Sequence, residues 1–267
     1  MPTSRKASHS SHPSLDTRHS TLDSDWFTGF FGGLYGQVLA HTFSHKQTLR
    51  HATIIRKLLG TRRGFRVLDV PCGQGRLTLP LAQTGLEMTG VDFMAKYLRR
   101  ARADARQAGV EIRYLRGDMR RIEFANEFHA AFCWFSSFGY FADADNLEVV
   151  RRVCRALRPG GRFLIEGLYR PWYVRHLHGR VEEMRAGVRI VHRSRWDPRT
   201  QRARDEWTLS RRGKIEKHAV AMRMFDGAAI RSLLREGGFA TVQLYAYPSC
   251  KRLTARAPCF MAVGTKE

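Results

Sequence analysis

The sequence is short of cysteine pairs, of lysine, of acidic residues and of long apolar runs, and each shortage narrows what the chain can be. Its five cysteines (Cys72, Cys133, Cys154, Cys250, Cys259) form an odd set with no Cys-x-x-Cys pair. Neither a disulfide framework nor a zinc ribbon is therefore indicated, and a reducing compartment fits. No stretch approaches the ~18–20 apolar residues that span a bilayer, and the first residues lack the apolar core of a secretory signal. A soluble cytoplasmic protein with no membrane contact is the expectation. Asp and Glu total 24 against 46 Lys and Arg, a formal net charge of +22. Only eight of those cations are lysine, which leaves 38 arginines spread over most of the chain. Such a surplus admits an anionic partner such as RNA, held by guanidinium forks on phosphate. A dispersed charge also reads as a set of solvated faces with arginine as the default surface cation.

What is present is enough for a core: 267 residues at 43% hydrophobic content allow one large domain or two small ones. Residues 1–24 are rich in Ser, His and Thr with almost no large apolar side chain, and read as a disordered tail. A transit peptide is the lesser alternative, opposed by Asp16 and Asp23 and by the absence of an amphipathic pattern. A folded domain over 25–267 opens on Trp26, Phe27, Phe30, Phe31 and Tyr35, followed by a helix carrying Leu49, Ile54, Ile55, Leu58 and Leu59 and closed by Gly60.

Short apolar runs then alternate with helical patterns. Strands are expected at 66–70, 88–92, 112–115, 129–135 and 162–166, with helices at 76–84 and 95–108. A further helix, capped by Asp143 or Asp145, has Leu147, Val150, Cys154 and Leu157 on one stripe and ends at Pro159-Gly160. That alternation means a doubly wound parallel sheet. Three extended segments at 187–197, 202–211 and 214–224 follow, separated by turn material, and mark 180–224 as an inserted antiparallel β subdomain. A helix at 226–236 and strands near 240–247 and 258–264 complete the pattern. The expected fold is thus a mostly parallel, seven-stranded, Rossmann-like α/β sheet with an antiparallel C-terminal edge hairpin and a small antiparallel β insert.

The segment Val67-Leu68-Asp69-Val70-Pro71-Cys72-Gly73-Gln74-Gly75 puts an acid at the end of the first strand and two glycines in the turn after it, where backbone can approach a ligand without a Cβ in the way. Asp92 ends the second strand, where a carboxylate can accept both hydroxyls of a ribose, and Asp118 follows the third. An adenosine-containing cofactor is implied. A dinucleotide is disfavoured: Thr78 stands where its fingerprint needs a third glycine, and Asp69 at the entrance suits an ammonium group and repels phosphate.

On these residues, together with Gly117-Asp118-Met119 and Leu157-Arg158-Pro159-Gly160-Gly161, the chain from about 25 to 265 resembles the class I S-adenosylmethionine-dependent methyltransferases. Pro71 replaces the first glycine of the usual loop, a departure many members share. The resemblance implies that Gly73 and Gly75 lie against the methionine part of S-adenosylmethionine, that Asp92 binds the ribose and that Asp118 meets the adenine amino group. It makes Phe93 and Met119 apolar neighbours of the purine. Asp25-Trp26-Phe27 with Tyr35 and His41, and Ser136 to Phe141 after strand four, are similar to a broad group of bacterial small-molecule methyltransferases, in which Tyr35 would help close the pocket.

The acceptor is expected across the loop from Phe135 to Phe141, where Ser136 or Tyr140 could orient it, with His41, His45 or His176 as candidate bases. His41 and His45 at helical spacing form no metal site on their own, because no third ligand is near. Cys72, in the cofactor loop, reads as packing. The Asn/Asp-Pro-Pro-Tyr tetrad of amino-purine methyltransferases is missing after strand four, which counts against nucleic-acid N-methylation. In the insert, Arg189, Arg193, Arg195, Arg202, Arg204, Arg211 and Arg212 are interleaved with Trp196 and Trp207. Such a pattern suits either base stacking on RNA or a lid with arginine on its wet face, and the alternation with apolar residues favours the lid. A small-molecule methyltransferase is the leading expectation, an RNA methyltransferase the second, and a non-catalytic cofactor-binding module the third.

Overall fold

The computed structural model describes residues 26–267, so the tail read over 1–24 and the domain start at 25 lie outside the described residues. Two short helices, α1 (Trp26–Gly32) and α2 (Leu34–Leu39), precede α3 (His45–Leu59). The start of α3 is set by a capping box: Gln47 N–H donates to Ser44 Oγ and Ser44 N–H to Gln47 Oε1. Gly60, left-handed at φ 63°, stops it as expected.

The doubly wound half runs β1 (Arg66–Asp69), α4 (Thr78–Gln83), β2 (Glu87–Asp92), α5 (Ala95–Gln107), β3 (Arg113–Arg116), β4 (Phe128–Cys133), α6 (Asp143–Ala156) and β5 (Leu157–Leu168). Beyond it come α7 (Arg170–Arg175), β6 (Arg180–Arg185), β7 (Val188–Asp197), β8 (Arg202–Arg211), β9 (Lys214–Arg223), α8 (Gly227–Glu236), β10 (Thr241–Ala246), β11 (Lys251–Arg252) and β12 (Cys259–Thr265). The main sheet has the order β11-β10-β12-β5-β4-β1-β2-β3. Strands β1 to β5 pair parallel, and β12 runs antiparallel between β5 and β10. The seven expected strands are all there, and the two-residue β11 adds an eighth at the edge.

Successive side chains point to opposite faces, so Leu68 joins a core with Val149, Val153, Ile230 and Leu234 of α6 and α8. Val67 joins the other core, with Ile54, Ile55, Leu59 and Leu81 of α3 and α4. The result is a three-layer α/β/α body.

Three local expectations are corrected. Ala142, not Asp143 or Asp145, caps α6; the two carboxylates sit in its first turn and pair with Arg202 and Arg120 instead. The same helix ends at Ala156, and Pro159-Gly160 fall inside β5. The insert has four strands, because β6 pairs with β7 ahead of the three expected segments.

The insert is a meander, β6-β7-β8-β9, whose inner face carries Val188, Ile190 and Leu209 against Phe30, Leu34 and Val38 of α1 and α2. Glu216 of β9 supplies the missing cap of α2 by accepting Leu34 N–H at 2.7 Å. Arg211 Nη1 donates to Gln37 Oε1 at 2.7 Å. The N-terminal helices and the insert therefore form one cap over the sheet. Among the described residues no helix is long and apolar enough to cross a membrane.

Candidate cofactor and acceptor site

The strand order reverses between β1 and β4, and the crevice outside the C-terminal ends of these strands is where an open α/β sheet takes its ligand. Two adjoining pockets occupy it, sharing Leu39, Pro71, Gly73 and Ser137. The first is bounded by Asp92, Phe93, Met94, Asp118, Met119 and Tyr140, with Phe27 and Phe31 of α1 as its roof. The second is bounded by His41, Asp69, Gln74, Arg76, Trp134 and Phe135.

Asp92 is 6% exposed, and its two oxygens accept Gly73 N–H at 2.8 Å and Met94 N–H at 2.7 Å. A carboxylate has about four acceptor positions, so one on each oxygen stays available for a vicinal diol. Burial pushes its carboxyl up to about 6, against the two backbone hydrogen bonds that lower it. The turn's glycines turn out to have different reasons. A Cβ on Gly73, at φ 56°, would meet nothing within 4 Å, so the space beside it is open to a ligand. A Cβ on Gly75, at φ 78°, would lie 2.5 Å from Tyr114 Oη and 3.0 Å from Ala101 Cβ. Gly75 is thus required by packing within the protein, and it lines neither pocket.

Asp69 is 3% exposed and accepts Thr78 Oγ1–H at 2.6 Å. Burial pushes it up to about 8, opposed by Thr78 and by the charge of Arg76. Thr78, the residue that breaks the dinucleotide fingerprint, therefore has a task of its own. Asp118 caps the 3-10 turn Met119–Arg121 and is gripped by the Arg120 side chain, whose Nη2 lies 2.6 Å from Oδ2. Burial raises Asp118, but the Arg120 hydrogen bonds and charge outweigh it and hold the carboxyl below its usual range. The Arg120 guanidinium also lies 4.5 Å from the ring centroid of Phe141, which lines the first pocket.

The loop after β4 turns sharply: Phe135 and Ser136 both have left-handed backbone, at φ 62° and 50°. Non-glycine residues persist there only when the surroundings hold them. Here Glu166, 6% exposed at the end of β5, accepts Ser136 N–H at 3.1 Å. Phe135 stands exposed at the rim of the second pocket, edge-on to Phe43. Burial raises the Tyr140 phenol far above its usual range, so its hydroxyl can orient an acceptor but does not become a phenolate near neutral pH.

Not every expected residue reaches the site. Tyr35 lines neither pocket; it stacks on Phe30 at 4.2 Å and lies edge-on to Trp207 at 5.2 Å inside the cap, and Phe31 holds the position expected of it. His41 sits exposed at the rim of the second pocket, in the turn ahead of α3, while His45 begins that helix, so the two do not share a helical face. His176 is stacked on Trp172 and lines neither pocket. Among the described residues no three His, Cys, Asp or Glu side chains cluster to hold a metal.

The exposed arginines of β7 lie on the face opposite the two tryptophans of the insert, while Arg211 of β8 turns inward to α2. Arg189, Arg193 and Arg195 of β7 are exposed. Trp207 points inward to Phe30, Tyr35 and His192, and Trp196 packs with Met222 and Met224. On that inner face His192 Nε2 lies 3.3 Å from Asp205 Oδ1 and 3.0 Å from Ser194 Oγ. Arg76, Arg120 and Glu166 were not singled out by the sequence reading. Only Glu166 left a signal, as an acid ending an otherwise apolar strand.

The residues present fit S-adenosylmethionine: a diol acceptor at Asp92, open space beside Gly73, apolar walls at Phe93 and Met119 for a purine, and buried Asp69 and Arg76 in the second pocket for a zwitterion. The family model described as a methyltransferase domain matches residues 67–161. An uncharacterized protein of Mycobacterium tuberculosis is 35% identical over 104 residues, covering 39% of this chain and 37% of that protein. The ubiquinone biosynthesis O-methyltransferase of Bordetella avium is 33% identical over 109 residues, covering 40% of this chain and 44% of that protein. The chain thus spans less than half the length of these curated relatives. A crystal structure of an S-adenosylmethionine-dependent methyltransferase from Clostridium acetobutylicum superposes with a TM-score of 0.73 at 18% identity, over 88% of this chain and 97% of that one. The solved structure shows the same fold, and residues 67–161, which hold β1 to β4 and the strand-end acids, are similar to a methyltransferase domain.

Proposed function

We propose that the protein transfers a methyl group from S-adenosylmethionine to an O, N or C nucleophile of a small molecule held between the cap and the loop after β4. The observation that carries this reading is the continuity of two pockets through Pro71, Gly73 and Ser137 beneath one cap. When bound, S-adenosylmethionine supplies a methyl group already activated on a sulfonium. The chain's own residues have to orient and exclude water, which brings most of the rate. Asp92 accepts the ribose hydroxyls and Asp118 keeps acceptor capacity toward the adenine amine. Phe27 and Phe31 shut the first pocket from solvent, and the Glu166-braced loop presents Ser136, Ser137 and Tyr140 to the acceptor.

An RNA acceptor is supported less well, because stacking needs aromatics beside the cations and the exposed arginines of β7 lie across the sheet from Trp196 and Trp207. The deciding experiment incubates the protein with methyl-labelled S-adenosylmethionine and two fractions of one bacterial lysate, total RNA and a filtrate of small metabolites. Label in the small-molecule filtrate is expected; label in RNA, or in neither fraction, overturns the reading.

A further inference from the structure

The inner face of the insert carries an acid among aromatic and apolar side chains. Asp205 of β8 stands between Ala203 and Trp207 on that face, opposite Ser194 of β7, with 13% of its side chain exposed. Tyr140, from the loop after β4, and Tyr173, from α7, pack against Ala203, Met222 and Met224 beside it, together with Trp196. Tyr140 also lines the first pocket, so this face and that pocket share a wall. Burial first, and the charge of Asp205 among the lesser causes, raise the phenols of Tyr35, Tyr140 and Tyr173, three residues from three separate elements that face one carboxylate.

His192 Nε2 lies 3.3 Å from Asp205 Oδ1, but it carries at most one hydrogen and is closer to Ser194 Oγ, at 3.0 Å. Asp205 Oδ1 and Tyr173 Oη are buried atoms without a hydrogen-bond partner among the described residues. The chain has 46 Lys and Arg, and most of its half-buried carboxylates use them. Among the described residues, the buried and half-buried carboxylates with no lysine or arginine within ion-pairing distance are Asp69, Asp92, Glu166 and Asp205. Asp69 and Asp92 border the two pockets, and Glu166 braces the loop after β4. Asp205 is the fourth, and a carboxylate withdrawn from water without a strong cation beside it is costly unless a ligand brings one.

We propose that Asp205 selects the methyl acceptor by binding the ammonium of a small molecule that carries a basic amine, the rest of which reaches past Tyr140 to the junction of the two pockets. This rests on the small-molecule reading given above and narrows it. Tyr173 Oη can accept a second hydrogen of the ammonium, and the rings of Tyr173 and Trp207 suit a cation. The choice runs against the net charge of +22, because the field at this face is set by the nearby carboxylate and not by the outer arginines.

The test divides the small-metabolite filtrate on a strong cation exchanger at about pH 3, which retains amines and passes neutral and anionic compounds. Each part is incubated with the full chain and methyl-labelled S-adenosylmethionine, and new labelled products are resolved by chromatography. Label is expected from the retained part. Asp205→Asn should cut that labelling about tenfold or more and keep S-adenosylhomocysteine affinity, read by calorimetry, within about twofold, which also reports that the variant is folded. Should that variant fail to fold, Tyr173→Phe removes the neighbouring hydroxyl, keeps its packing and should lower labelling about threefold. Label from the unretained part at an equal or higher level, undiminished labelling by the variant, or equal loss of labelling and S-adenosylhomocysteine affinity overturns the proposal and leaves the small-molecule reading standing. No label from either part with the wild-type protein removes that reading and the proposal with it, and is seen before any variant is made.

Discussion

The cofactor crevice and the cap are built on different principles. In the crevice the groups that matter are set by backbone: Asp69, Asp92 and Asp118 each stand at or just after a strand end, and Gly73 opens space because of its φ. In the cap they are set by packing between α1 and α2 and an insert some 150 residues further on, where Phe30, Leu34 and Val38 meet Val188, Ile190 and Leu209. Changes in the crevice should therefore remove binding and spare the fold. Changes in the cap should loosen a local unit and leave the parallel sheet alone.

The largest effect is expected from Asp92→Ala. Losing two charge-assisted bonds to the ribose should weaken S-adenosylhomocysteine binding by about a hundredfold, read by calorimetry, without lowering the melting temperature, since a buried carboxylate goes with it. A variant that unfolds would make this acid a part of the scaffold and blur the contrast. Next, Leu209→Ala opens a cavity in the cap core and should cost about 3 kcal/mol locally. Hydrogen exchange should quicken in β7, β8, α1 and α2 and stay unchanged in β1 and β4; equal loss of protection in both regions would show that the cap is no separate unit.

A smaller, pH-dependent effect distinguishes the regions again. The folded pKa of Asp92, about 6, lies above its ordinary value of 3.8. Ribose hydroxyls donate to the ionised form, so affinity should fall about tenfold from pH 7.5 to pH 5. The linked stability runs the other way: the ligand-free fold binds the proton more tightly than the unfolded chain, so the contribution of Asp92 to stability declines as pH rises from about 4 to about 6. Asp92→Asn should flatten both curves, and an unchanged pH profile in that variant would remove Asp92 as the source. The smallest effect is assigned to the outer face of the insert. Arg193→Ser with Arg195→Ser should leave melting temperature and S-adenosylhomocysteine affinity within error, while a fall in activity on the identified acceptor would return those arginines to substrate selection.

The same contrast explains what could be read from residues alone. The Asp69 to Gly75 loop, Asp92 and Asp118 were legible because strand ends and turns are local events, and the one wet face of β7 was legible because its arginines alternate with apolar residues. The exchange of Tyr35 for Phe31 was not, since which face of a six-residue helix meets the pocket depends on the sheet that covers the other. Nor was Arg76, whose meaning depends on His51 and Tyr247, brought to it from α3 and from the turn after β10. The capping aspartates of α6 were misassigned for a related reason: Asp143 and Asp145 are drawn off the helix end by Arg202 and Arg120.

Strand β12 lies between β5 and β10, so residues 259–265 fill an interior place in the sheet. During synthesis β10 emerges first but has only the two residues of β11 to pair with until β12 arrives. Five parallel strands can assemble around the crevice while that edge still waits. Ligand capture by a ribosome-bound chain is thus separable from completion of the sheet, and stalling synthesis on either side of residue 265 would reveal the order of the two events.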